Sequence, residues 1–260
     1  MALLEVENIT LTFRGLAALM DVGFSVEEGS ITSLIGPNGA GKTSMLNCIS
    51  GRYTPDSGRI SLDGQDLLAM PAHRRTSAGL SRTFQNIALF KGLSVLDNLM
   101  VGRHGRLDYG LFAALLYWGP ARRAEDSHRR RAEDIIDFLN LSPWRHQAAG
   151  RLPYGVQKRV ELGRALAAEP KLILLDEPMA GMNLEETEDM ARYILDIRDE
   201  WGATVLLVEH DMGVVMDLSD QVVVLDFGSV LAHGTPERVR TDPAVVSAYL
   251  GAEDAAFAGR

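Results

Sequence analysis

The sequence is poor in cysteine, lacks a long apolar run and carries no basic excess. Its single cysteine, Cys48, excludes an intrachain disulfide and any cysteine metal cluster, and fits a reducing compartment. The neighbours of Cys48 in "MLNCISG" are apolar at helical spacing, the setting of a buried structural thiol rather than a nucleophile. The longest strongly apolar run, "LFAALLYW" at 111–118, is too short to cross a bilayer. The N-terminal "MALLEVENIT" holds acids and lacks the basic-then-apolar order of a signal peptide. A soluble cytoplasmic chain is expected, with any membrane connection made through a partner. The net charge of −9 argues against nucleic acid as a partner, since its binders are usually basic.

What is present suits one large α/β domain with an attached subdomain: 260 residues, 46% of them hydrophobic, can bury a sizeable core. "LLEVENITLTF" and "LAALMDVGFSV" read as short strands on either side of the Arg14-Gly15 turn. "SITSLIG" is an apolar strand entering a glycine-rich loop, and "KTSMLNCIS" follows as a helix. "SGRISLDGQDL" reads as one strand between the Ser57-Gly58 and Asp63-Gly64 turn signals. "KLILLDEP" and "ATVLLVEHD" are apolar until they end in acids, which suits central parallel strands covered on both faces. "QVVVLDFGSVLAHG" reads as a closing antiparallel pair. In "GTPERVR" and "TDPAVVSAYLG", Thr or Asp before proline marks a helix start, with Gly251 as a stop before a frayed tail. From about 85 to 170 strand signals give way to amphipathic helices such as "RAEDIIDFLNL" and "VQKRVELGRALAA", which predicts an inserted helical subdomain.

"GPNGAGKTS" at 36–44 matches G-x-x-x-x-G-K-[ST] between a strand and a helix. Glycines there let successive N–H groups curl around anionic oxygens, and the helix N-terminus adds a positive dipole. Lys42 is expected on the terminal phosphates of a nucleotide, the Thr43 hydroxyl on Mg2+, and Ser44 as a further phosphate donor. Asp176, ending its strand, is placed to hold the Mg2+ shell. Glu177 projects differently and is free to polarise an attacking water. Kinases, GTPases and transporter ATPases share these features; the missing N-K-x-D segment counts against a GTPase.

Beyond the phosphate loop, "RTFQN" with Gln85, "LPYGVQ" at 152–157, "LILLDE" with Asp176 and Glu177, "AGMN" at 180–183 and "VEHD" with His210 follow in order. In this series the chain resembles the nucleotide-binding subunit of an ATP-binding cassette (ABC) transporter over roughly residues 3–251. The segments correspond to that family's glutamine loop, signature loop, Walker B strand, D-loop and switch histidine. The resemblance implies a P-loop ABC ATPase fold, with a mixed central sheet, N-terminal antiparallel strands and an inserted helical subdomain. It implies one domain over 1–251, with core segments 1–84 and 171–251 around a helical subdomain at about 85–170, and a flexible tail at 252–260.

The implied cofactors are ATP and Mg2+. The implied catalytic residues are Glu177, His210 and Gln85, with Thr43, Gln85 and Asp176 on the metal. Gly36, Pro37, Asn38, Gly39, Ala40, Gly41, Lys42, Thr43 and Ser44 would bind phosphate, and Phe13 would stack on adenine. Leu152, Tyr154, Gly155 and Gln157 in the signature, and Asn183 in the D-loop, would serve the nucleotide of an opposing subunit. Taken alone, Phe13 ends an apolar strand and reads more often as core; only its place in the series favours stacking. His210 ends a buried strand, whereas His73, His104, His128, His146 and His233 read as surface residues. The usual signature is Leu-Ser-Gly-Gly-Gln, and this chain departs from it at Pro153, Tyr154 and Val156. Pro153 supplies neither hydroxyl nor N–H, so the composite site using it is expected to be weakened but functional.

"LPYGVQKRVELGRALAAEPKLILLDEPMAGMN" and "RTFQNIALFKGLSVLDNLMVG" resemble the branched-chain (hydrophobic) amino-acid importer subunits called LivG-type. The stretch "RHGRLDYGLFAALLYWGPARRAEDSHRRR" at 103–131 corresponds to their insertion, and reads either as a permease contact or as a subdomain surface. The implied partners are a second cassette subunit, identical or different, two integral membrane permeases and, indirectly, a periplasmic substrate-binding protein. The chain would then sit in the cytoplasm, peripheral on the membrane, and no nucleic acid is expected. Related systems for urea or short amides and for lipopolysaccharide export remain alternatives. So do a soluble ABC-type ATPase of repair or translation and a regulatory module without turnover, the last opposed by Glu177 and His210.

Overall fold

The computed structural model describes residues 1–106 and 120–249; the aromatic run at 111–118, the Gly251 stop and the C-terminal tail lie outside the described residues. The chain opens as the expected hairpin, with β1 (Ala2–Phe13) antiparallel to β2 (Leu16–Glu27). The strand β4 (Ser57–Leu62) adds to β1, and β5 (Gln65–Asp66) turns back on β4. The turn signals predict one strand over this stretch. The two-residue return is too short to show a period, so only the Asp63-Gly64 turn announces it.

The second sheet has the order β10-β9-β3-β8-β7-β6. In it β3 (Ile31–Ile35), β8 (Thr204–Val208), β7 (Leu172–Asp176), β6 (Leu80–Arg82) and β9 (Gln221–Asp226) run parallel, and β10 (Ser229–Gly234) closes the edge antiparallel to β9. Every residue of β3, β7 and β8 is buried. The reason lies in the two-residue strand period. Leu172, Leu174, Leu206 and Val208 face a core shared with the antiparallel sheet. Ile173, Leu175, Val205 and Leu207 face the helices on the other side. Both faces are covered, so no polar alternation appears in the sequence. The edge strand β6 was not expected; its three residues, paired in register with β7, carry no readable pattern.

Among the described residues, α1 (Lys42–Ser50) follows β3, and α2 (Ala72–Arg75) precedes β6. Between β6 and β7 lie α3 (Val95–Gly102), α4 (Pro120–Phe138) and α5 (Tyr154–Ala167), packed through Leu99, Ile135, Leu139 and Val160. Arg103 ties the three together: its guanidinium donates to Ala167 O at 2.9 Å, pairs with Glu169 at 3.1 Å and donates through Nε to His128 Nδ1 at 2.9 Å. His128 is therefore half-buried and bonded, which corrects its reading as a free surface residue. After β7 come α6 (Leu184–Asp199), α7 (Met212–Leu218) and α8 (Pro236–Arg240), and residues 243–249 are helical. Asp242 caps this last helix by accepting from Ala244 N at 2.8 Å, whereas Thr235 precedes α8 without a side-chain cap.

Candidate functional site

The loop 36–41 leaves β3 at the end of the parallel sheet and enters α1, where parallel sheets present their ligand groups. Gly36 has φ 147°, and a Cβ there would run into the carbonyl of Leu225, so no other residue fits. Gly41 is the N-cap of α1 and offers no side-chain cap, so the first N–H groups of the helix stay free for an anion. Lys42 is 9% exposed, and its Nζ donates to Gly36 O at 2.6 Å and Pro37 O at 3.0 Å. Burial pushes the ammonium below its ordinary pKa, opposed by the charges of Glu177 and Asp176. In the loop, Ala40 is buried, Pro37 and Ser44 are half-buried, and Asn38, Gly39 and Thr43 are exposed.

At the end of β7, Asp176 is 3% exposed and pairs with Arg82 Nη2 at 2.9 Å. Glu177 follows with φ 49°, a left-handed backbone that turns its side chain away from that of Asp176. Its Oε2 accepts from Gln85 Nε2 at 3.0 Å. Thr43, Gln85 and Asp176 line one cavity of about 450 Å³, together with Tyr53, Arg52 and Arg82. Hydroxyl, amide and carboxylate oxygens form a hard donor set suited to Mg2+ alongside phosphate. Among the described residues no cluster of three or more His, Cys, Asp or Glu offers an all-protein metal site. Phe13 is 44% exposed and meets Tyr53 edge-on, ring centroids 5.1 Å apart, so it is not core.

The signature residues lie elsewhere. Leu152 is buried, and its carbonyl accepts from Gln157 Nε2 at 2.8 Å. The Tyr154 hydroxyl donates to Ala180 O at 3.2 Å, and Gly155 packs against the side chain of Glu186. Asn183 caps α6 in a reciprocal pair, its Oδ1 accepting from Glu186 N at 3.0 Å and its N–H donating to Glu186 Oε2 at 3.1 Å. Residues 152–157 thus contact their own D-loop, and among the described residues none of their hydrogen bonds reaches their own phosphate loop. His210 lies just beyond β8 with its side chain 65% exposed. Its imidazole makes no hydrogen bond to Gln85, Glu177 or the phosphate loop, and its nearest acid is Glu209, at 3.7 Å.

Four polar side chains around the site, each largely shielded from solvent, escaped the sequence reading. Lys158, 3% exposed, donates to Gln85 O and Glu177 O, both at 3.3 Å. Glu161 accepts from Ala88 N at 3.2 Å and Phe84 N at 3.5 Å, and burial raises its carboxyl pKa. Glu209 accepts from Met179 N at 3.0 Å and is likewise raised by burial. Arg82 is the fourth. Lys158 and Glu161 share one side of α5 at helical spacing with Tyr154, the one signal in the sequence that could have marked them.

Residues 19–180 match the ABC transporter family, and 229–255 match the branched-chain amino acid ATP-binding cassette transporter family. The chain is 43% identical over 249 residues, 96% of this chain and 98% of the relative, to the high-affinity branched-chain amino acid transport ATP-binding protein BraF of Pseudomonas aeruginosa. It is 41% identical, over the same 96% and 98%, to the corresponding protein LivG of Escherichia coli. A solved structure, the ADP conformation of MJ1267, an ATP-binding cassette of an ABC transporter, superposes with a TM-score of 0.83 at 34% identity, covering 96% of this chain and 99% of that one. With matches spanning nearly its full length and a phosphate cradle at the sheet end, the chain belongs to the ABC transporter family of ATP-binding cassettes.

Proposed function

We propose that this chain is the ATP-hydrolysing subunit of an importer of branched-chain amino acids. It would act with a second cassette subunit, two integral membrane permeases and a periplasmic binding protein that selects the solute. The likeness to BraF and LivG and the match over 229–255 support this solute class over urea, amides or lipopolysaccharide. Among the described residues no helix is long and apolar enough to cross a membrane, so the attachment would run through the permeases, on the cytoplasmic face. The core segments 1–84 and 171–251 would move as one unit and the helices of about 85–170 as another.

The observation that carries the chemistry is the cavity shared by Thr43, Gln85 and Asp176 beside an uncapped helix start. The N–H groups of 36–44 and Lys42 would hold the phosphates, with the adenine ring against Phe13. Mg2+, held by Thr43, Gln85 and Asp176, would neutralise charge on the phosphates. The hydrogen bond from Gln85 orients the Glu177 carboxylate, which would accept a proton from the attacking water. His210 would hydrogen-bond the terminal phosphate. Gly155 and the start of α5, with Leu152, Tyr154, Gln157 and Asn183 around it, would face the nucleotide of the opposing subunit.

The test is reconstitution of the chain with its permeases in vesicles, adding binding protein and leucine, isoleucine or valine. ATP-dependent uptake of these solutes is expected, and Glu177→Gln should abolish phosphate release. Uptake of urea alone would overturn the solute assignment. Undiminished phosphate release by the variant would overturn the role of Glu177.

A further inference from the structure

Arg82 ends β6, three residues before Gln85; it opens the quoted "RTFQN" segment, yet it was assigned no role there. Its Nη2 donates to Asp176 Oδ2 at 2.9 Å, and its Nη1 donates to Asn47 Oδ1 and Ser50 Oγ, both at 2.8 Å. The two charged side chains are 7% and 3% exposed, and Arg82 Nε is buried without an acceptor. The guanidinium is thus fixed by α1 on one side and by Asp176 on the other. It also lines the cavity that holds Thr43, Gln85 and Asp176.

A buried pair of this kind is electrically closed, each ion offsetting the desolvation of the other. A divalent cation arriving alone would find a neutral hydroxyl, a neutral amide and a carboxylate whose charge is already balanced. A guanidinium alongside would repel it. Phosphates shift that balance, because they bring several negative charges onto Lys42 and the helix start. The segment 82–85 also holds both acids at the end of β7, through Arg82 on Asp176 and Gln85 on Glu177.

We propose that Arg82 is a positioning residue and resident counter-charge for Asp176, making divalent-cation binding conditional on the nucleotide's phosphates. This rests on Asp176 facing the metal, as set out above. The probe is Mn2+, with free metal read by electron paramagnetic resonance on the full chain, without nucleotide and with ADP. Wild type is expected to bind Mn2+ at least about tenfold more weakly without ADP than with it. Arg82→Gln keeps hydrogen-bonding capacity toward Asn47 and Ser50 but loses the charge. It should bind Mn2+ without ADP about tenfold more tightly than wild type, while Arg82→Lys should behave as wild type.

Equal Mn2+ affinity of wild type with and without ADP overturns the proposal. So does an Arg82→Gln chain, folded by thermal melting, that binds no better than wild type, or an Arg82→Lys chain that binds freely without nucleotide. If Arg82→Gln does not fold, the wild-type and Arg82→Lys measurements still decide. Asp176→Asn separates the two levels. Unchanged ADP-dependent Mn2+ binding in that variant means that Asp176 is not a metal ligand. Loss of binding there, with Arg82→Gln inert, leaves the Asp176 reading standing and removes Arg82 alone.

Discussion

Gly155 sits in the first turn of α5, and a Cβ added there would lie 2.6 Å from Glu186 Cδ. Glu186 cannot swing aside freely, because its Oε2 accepts from Asn183 N at 3.1 Å as half of the capping pair of α6. Gly155→Ala therefore forces out that one hydrogen bond, a net loss of about 0.5–1.5 kcal/mol. Alanine returns part of it through helix propensity, at most about 1 kcal/mol and less in a first turn. The single substitution should thus change stability little. The informative quantity is the coupling with Glu186→Ala, in which the clash no longer exists and alanine is neutral or stabilising. A double-mutant cycle by thermal and urea unfolding should give about 1 kcal/mol between the sites. That corresponds to roughly 2–4 °C in Tm for a chain of this size. ATPase activity of the assembled complex should fall only as far as the signature turn is displaced, since the added methyl group points at Glu186 of its own chain. Coupling below about 0.3 kcal/mol would refute the packing argument, whatever the activity does.

Further expectations are quick to check. Pro153 occupies the N-cap of α5 with no side-chain cap bond, so Pro153→Ser should raise Tm through a cap worth about 0.5–2 kcal/mol. The same change should raise ATPase of the complex by restoring a hydroxyl and an N–H; a raised Tm with flat activity would remove the phosphate-contact idea. Burial raises the Glu161 carboxyl above its ordinary 4.5, so the folded chain binds that proton more tightly than the unfolded chain. Stability contributed by this group is therefore present below pH 4.5 and lost as pH rises through the folded value. Tm of Glu161→Gln minus wild type should be larger at pH 7 than at pH 5; the reverse slope contradicts the assignment. Cys48 is buried and its thiol is pushed up to about 11, so iodoacetamide at pH 8 should leave the native chain unlabelled and modify it in urea. Rapid labelling of the native chain would place the thiol nearer the surface.

The glycine-rich loop and the acids ending β7 were legible in position because both motifs have particular residue types at fixed spacing within one segment. The central strands were legible because burial on both faces leaves an unbroken apolar run. What the sequence hid are contacts between segments far apart along the chain. Lys158 and Glu161 lie on a helix that reads only as amphipathic, yet both are buried because the loop 84–88 lies across them. Arg82 and Asp176 are 94 residues apart, and only the pairing of β6 with β7 brings them together. His210 shows the converse, since its motif is plain while its side chain points to solvent without engaging the other catalytic candidates.

These hidden contacts join the distant motifs through one helix. The helix α5 begins at the signature turn, and along its side Lys158 holds the carbonyls of Gln85 and Glu177. One turn further Glu161 and Arg164 hold the loop backbone at Phe84 and Ala88. Helices are stiff over such a length. A hydrogen-bond path thus runs from the signature helix to Gln85 and, through its amide, to the Glu177 carboxylate. The buried Lys158 ammonium is shared between two backbone carbonyls and is not bonded to the Glu177 carboxylate. The protein uses backbone acceptors there, and the carboxylate of Glu177 keeps its hydrogen bond from Gln85.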